Sequence, residues 1–195
     1  CMKKSAESAR QAVERFEALL VRICRLGADM PFAPLYDSKT QLFSIGFDLD
    51  SNKLSNAHYD LFASEARQTS YLAIARNEIP VTHWSRMGRS LTVMDGYKGL
   101  VSWTGTMFEY LMPLLVMKRY ANTLLDETYA FVIRNQKKYG KQRNMPWGAS
   151  ESGFNFVYAS LDYQYNAIGV PWLGLKRVLF VDAVAAPYAT FLALA

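Results

Sequence analysis

Cysteine is nearly absent from this chain. Cys1 and Cys24 are its two thiols in 195 residues, too few for a disulfide framework or a thiolate metal site. Histidine is equally scarce. His58 and His83 stand too far from other ligating or nucleophilic residues in the sequence to mark a metal site or a nucleophile–base pair. No apolar run reaches the roughly 18 residues of a spanning helix, and nothing resembles a signal peptide. The longest apolar stretch, Tyr110 to Met117, reads as a buried helix. Basic residues outnumber acidic ones, with a net charge of +5, yet they are dispersed. The exception is the cluster Lys137, Lys138, Lys141 and Arg143, which suits the C-terminal end of a helix. Without a nucleic-acid motif beside it, that cluster does not make a nucleic-acid partner expected.

What the chain does have is aromatic side chains: twelve Tyr, eleven Phe and four Trp. Aromatic residues build cores first, but a flat ring also packs well on the C–H face of a sugar. The ends carry a further expectation. The chain starts at Cys1 and stops on FLALA, an uncapped apolar helical pattern, so it reads as an excerpt of a longer polypeptide.

Apolar periodicity predicts an α-helix over Lys3 to Leu26, with Val13, Phe16, Leu20, Ile23 and Cys24 on one stripe and Gly27 ending it. On this reading Cys24 is a small buried hydrophobe. A small hairpin is expected around Asp37-Ser38-Lys39-Thr40. A second helix is expected from about Asn56 to Asn77, capped by Ser55, and a third from about Gly105 to Tyr120. Thr123 opens a fourth helix that ends in the basic cluster. Shorter helical pieces are expected near Phe154 to Asn166 and from Pro187 to Ala195. These elements read as all-α helical hairpins with function on the loops at one end. Residues 1–34 form a lead-in helix and 35–195 a partial domain.

Five blocks occur in order: YDLFASEAR, SWTGTMFEYLMPLL, MPWGASES, YQYNAIGVPWLGLKR and APYATFLAL. Together they resemble the glucoamylase-like domain of bacterial cyclic β-1,2-glucan synthases, related to the β-1,2-glucanases, from about Leu35 onward. The resemblance implies an all-α (α/α)6 toroid, here about its N-terminal half. It also implies retaining transglycosylation that closes linear β-1,2-glucan into rings. The substrate is β-1,2-glucan, and the rest of a larger multidomain polypeptide is the other expected partner. The site would lie on the cytoplasmic side of the bacterial inner membrane, or in the periplasm for the glucanase branch. No metal or organic cofactor is needed. Trp172 stands where the family pattern is small, and KRVLFVDAV replaces a glycine-containing turn.

Cleaving a glycosidic bond takes two carboxyl groups flanking the anomeric carbon, about 5 to 5.5 Å apart in a retaining enzyme. The resemblance nominates Glu65 in SEAR, expected near the start of the second helix, and Glu151 in PWGASES. Local pattern alone reads both as solvated or locally paired glutamates. Glu65 is expected to be the nucleophile and Glu151 the general acid/base, whose pKa would have to be raised by burial or a like charge. Asp60 and Arg67 are candidate hydroxyl ligands. Glu109, in an otherwise apolar helix, is either a cleft-lining ligand or half of a buried ion pair. Trp84, Trp103, Trp147, Tyr163 and Tyr165 are stacking candidates, each equally at home in a core. Three outcomes stay open: cyclisation, hydrolysis by an endo-β-1,2-glucanase, or a non-catalytic glucan-binding module. Residues 1–195 alone are not expected to be active.

Overall fold

The computed structural model describes residues 2–153, 157–162, 166–179, 182 and 184–194. Its contacts separate two compact units, Cys1–Pro34 and Leu35–Ala195. The first is the helix α1, Met2–Ala28, whose stripe of Val13, Phe16, Leu20 and Ile23 stays exposed. Cys24 is exposed too, which corrects its reading as a buried hydrophobe: α1 packs no core of its own. Among the described residues no helix is long and apolar enough to cross a membrane.

The second unit opens with two short antiparallel hairpins. Strand β1, Tyr36–Asp37, pairs with β2, Leu42–Phe43. Its turn is held by the Asp37 carboxylate, which accepts from the Lys39 amide at 2.9 Å and the Thr40 hydroxyl at 3.0 Å. Strand β3, Phe47–Asp48, pairs with β4, Lys53–Leu54, and Asp48 repeats the device on Asp50 and Ser51. Side-chain carboxylates that mimic a backbone turn are what Asp offers at such positions.

Helix α2 spans only Arg67–Ala75, less than half of the helix expected over 56–77. The residues before it are tied elsewhere, through the bridges Ser44↔His58 and Leu61↔Gly88, so tertiary pairing takes the backbone groups a helix would have used. Helix α3, Thr82–Arg86, follows. Then β5, Leu91–Met94, and β6, Tyr97–Leu100, form a hairpin around Asp95 (φ 52°) and Gly96 (φ 79°). Two left-handed residues in a two-residue loop suit the twist of an antiparallel pair.

Helix α4, Met107–Leu111, starts on a capping box between Thr106 and Glu109. It gives way to a 3-10 turn over Met112–Leu115, because Pro113 supplies no amide to continue an α-helix. Helix α5, Leu124–Gln142, is capped by the Thr123 hydroxyl, and α6, Pro187–Leu192, begins on Pro187. Residues 157–162 make a turn closed by Leu161 N–H to Tyr158 O at 2.8 Å, not a helix. The rest of the helical piece expected there falls partly outside the described residues.

The core gathers Leu100 of β6, Met107, Tyr110 and Leu111 of α4, Tyr129, Phe131 and Val132 of α5, and Val170, Leu173 and Ala189 behind them. Helix α5 lies against β6 at Gly99, where an added Cβ would stand 2.2 Å from the Phe131 ring. Among the described residues three two-stranded antiparallel sheets share this unit with the helices. The architecture is mixed α and β, which overturns the all-α toroid of helical hairpins. The physical reason is local. Asp- and Gly-bearing turns between short apolar stretches close into strand pairs, and Pro113 and the bridged segment before α2 cut two expected helices short.

Candidate functional site

Glu65 does not sit inside a helix. It occupies the turn just before α2, where the Ser64 hydroxyl accepts from the Ala66 amide at 3.2 Å and donates to a Glu65 carboxylate oxygen at 3.2 Å. This turn is one wall of a cavity of about 340 Å³. The run His58, Tyr59, Asp60 and Leu61 continues that wall, Trp103, Thr104 and Glu109 form another, and Glu151 closes in from a third segment. The two nominated carboxylates therefore share one cavity with Asp60 and Trp103. Burial pushes the Glu65 carboxyl above the ordinary glutamate range, and the negative charges of Glu109 and Glu151 push the same way against the hydrogen bond from Ser64.

Glu151 is placed by its neighbours along the chain. Gln136, fully buried in α5, donates to the carbonyls of Gly105 and Ala149, both at 3.1 Å, and accepts from the Ala149 amide at 2.8 Å. Ser150 accepts from the Phe108 amide at the start of α4 at 3.0 Å and meets the Tyr188 hydroxyl at 3.0 Å. That hydroxyl donates to the Glu151 carbonyl at 2.7 Å. Gly148, with φ at 118°, makes the sharp bend that brings this segment past α6, a conformation L side chains avoid.

The Trp103 wall is equally constrained. Ser102 and Trp103 exchange backbone hydrogen bonds with Leu173, Leu175 and Lys176. Glycines at 105, 169 and 174 allow the close approach. A Cβ at Gly169 would stand 1.9 Å from the Thr104 carbonyl oxygen. Trp103 remains 55% exposed at the cavity.

Three of the other residues nominated from the sequence face elsewhere. Arg67 is 1% exposed, and its guanidinium donates to the Tyr110 carbonyl at 2.8 Å and the Tyr129 hydroxyl at 3.0 Å. It joins α2 to α4 and α5 rather than lining the cavity. Trp84 packs edge-on against Phe62 and Tyr71 and lies half-buried against the core. Trp147 lies under the Lys137 ammonium, 5.1 Å from its ring centroid, away from the lining. Tyr163 and Tyr165 lie outside the described residues. Glu109 does line the cavity, but among the described residues it is in no ion pair. Its carboxylate is held by hydroxyl and amide donors of the 102–106 loop. Trp172, the departure from the family pattern, donates its indole N–H to Asn135 at 2.8 Å and packs on Tyr139.

Sequence reasoning missed His58, Tyr59, Ser64 and Thr104 as cavity residues. His58 lies 3.1 Å from the Asp37 carboxylate, a pairing across 21 positions that no local spacing signals. Its place two positions before Asp60 in the sequence was the available hint. Among the described residues no group of His, Cys, Asp and Glu is arranged to hold a metal ion.

No family model matches the chain. Over 180 residues, 92% of its length, the chain is 44% identical to the cyclic beta-(1,2)-glucan synthase NdvB of Rhizobium meliloti (strain 1021). The matched stretch is 6% of that protein, so the chain spans a small part of the relative's length. The chain is thus related to a cyclic β-1,2-glucan synthase over nearly its whole extent.

Proposed function

We propose that the cavity binds β-1,2-glucan and that Glu65 and Glu151 carry out a retaining transglycosylation there, joining the ends of a linear chain into a ring. The observation that carries this reading is the convergence of Glu65 and Glu151, 86 positions apart in sequence, on one cavity bordered by the exposed Trp103 indole. The resemblance to the cyclisation domain and the relation to NdvB supply the substrate class.

The environments divide the work differently from the sequence-based expectation. A general acid must hold its proton near neutral pH, and raising a carboxyl's pKa by burial and like charge is how that is done. Glu65 has that environment, so on this reading Glu65 is the acid/base. Glu151 then attacks the anomeric carbon. As the bond to the leaving oxygen breaks, the Glu65 proton passes to that oxygen, leaving a glycosyl ester on Glu151. In the second step Glu65, now a carboxylate, takes the proton of the incoming 2-hydroxyl. That oxygen displaces Glu151, and both groups return to their starting forms.

A larger polypeptide carrying this stretch, on the cytoplasmic side of the inner membrane, is the setting this function needs. The test uses a complete domain that includes the stretch, incubated with linear β-1,2-glucan. Cyclic products without new reducing ends are expected, and both Glu65→Gln and Glu151→Gln should lower turnover by at least about 10³-fold. Short oligosaccharides would instead establish the hydrolase. Undiminished turnover in either variant would remove that glutamate from the mechanism. Glucan binding with no turnover at all would make this a binding module.

A further inference from the structure

Glu109 is 6% exposed yet carries no partner of opposite charge among the described residues. Its carboxylate accepts from the Ser102 hydroxyl at 2.8 Å and the Trp103 amide at 3.1 Å. It accepts from the Thr104 amide at 3.0 Å and the Thr104 hydroxyl at 2.9 Å. The Thr106 amide at 2.8 Å and the Thr106 hydroxyl at 3.0 Å complete the shell. The hydroxyls are oriented as donors, because Ser102 already accepts from the Gly105 amide at 2.9 Å and Thr106 from the Glu109 amide at 3.3 Å. Three amides and three hydroxyls aimed at one carboxyl make a shell suited to a negative charge.

An ion pair would have neutralised this charge locally. Amides and hydroxyls stabilise it without cancelling it, so its field reaches the cavity wall it shares with Glu65.

We propose that Glu109 is the fixed anion of the cavity, a positioning residue that never reacts. It folds the 102–106 loop that presents Trp103, and its standing charge acts on the carboxyl of Glu65. The catalytic meaning of that charge rests on the acid/base reading of Glu65, but the interaction itself does not.

The charged and titratable groups around Glu65 are known from each neighbouring element. Arg67 opens α2 just after it, His58, Tyr59 and Asp60 come from the run before it, Glu109 from α4 and Glu151 from the loop before α6. After burial, the charge of Glu109 and then that of Glu151 push the Glu65 carboxyl up, and the Glu65 charge in turn favours the Arg67 guanidinium.

The experiment is a ¹³C NMR titration of the side-chain carboxyls in the 195-residue chain, with Glu65 assigned by the resonance lost in Glu65→Gln. In Glu109→Gln the Glu65 midpoint should move down toward ordinary glutamate. In Glu151→Gln it should move down less. An unchanged midpoint in folded Glu109→Gln, or a larger fall in Glu151→Gln, would overturn the proposal. If Glu109→Gln does not fold, judged by near-UV circular dichroism, Glu151→Gln decides alone. There a fall into the ordinary range sinks the proposal, because burial and the Glu109 charge both remain in that variant. The titration needs no turnover, so its failure is separate from failure of the catalytic reading. In an active complete domain, Glu109→Gln should also move the alkaline limb of the pH–rate profile to lower pH.

Discussion

Single side chains decide most of the character of the cavity. Glu65 shows the conflict between stability and function directly. Its carboxyl is raised in the folded state, so the folded chain holds this proton to a higher pH than the unfolded one. By linkage the fold loses stability as pH rises from about 4.3, the unfolded glutamate value, through the raised folded value. Glu65→Gln should therefore be more stable than the parent at pH 7 to 8 by urea denaturation, with the difference vanishing below about pH 4. Arg67 is the opposite case, a charged residue kept for architecture. Truncating it leaves the Tyr110 carbonyl and the Tyr129 hydroxyl short of a donor and opens a cavity. Arg67→Ala should cost about 3 kcal/mol of unfolding free energy, read as a lower urea midpoint.

Secondary-structure elements were legible where their signals are local. The amphipathic stripe of α1, the Thr123 cap of α5 and Pro187 at the start of α6 could each be read from a handful of neighbouring residues. Thr123→Ala should cost about 1 kcal/mol, measurable by thermal or urea unfolding, because it removes the acceptor of the Asp126 amide. Elements governed by distant partners were not legible. The segment 56–66 has helix-compatible spacing, but its backbone is committed to bridges with Ser44 and Gly88. Gly96 and Gly99 look like breakers in sequence. In the fold, Gly96 closes the β5–β6 turn while Gly99 clears room for Phe131. Gly99→Ala should lower stability by about 1 to 3 kcal/mol through overpacking against α5, as a fall in the urea midpoint.

For the whole molecule, the two units should behave differently in solution. Helix α1 has no buried side chain among those described, whereas α5 buries Thr128, Phe131, Val132, Asn135 and Gln136. Amide hydrogen exchange should accordingly be orders of magnitude slower in the centre of α5 than in α1, since protection follows burial and contact density. Comparable protection in the two helices would refute this.

By itself the sequence determined the chemistry on offer. Scarce thiols and imidazoles left carboxylates as the candidate reactive groups, aromatic residues were abundant, and five ordered blocks carried the resemblance to the β-1,2-glucan synthases. It also determined the elements written in short-range code, since caps, prolines and amphipathic stripes act within a turn or two of the chain. The tertiary structure decided the rest. It replaced a helical toroid with short helices and hairpins, and it turned Arg67 and Trp84 inward. It gave Glu109 a shell of donors instead of a cation, and it set the raised carboxyl on Glu65. Arg67, Trp84 and the Glu65 carboxyl owe their settings to partners far along the chain, which only the folded chain brings within reach, whereas the hairpins and the donors around Glu109 come from neighbouring residues once their turns close.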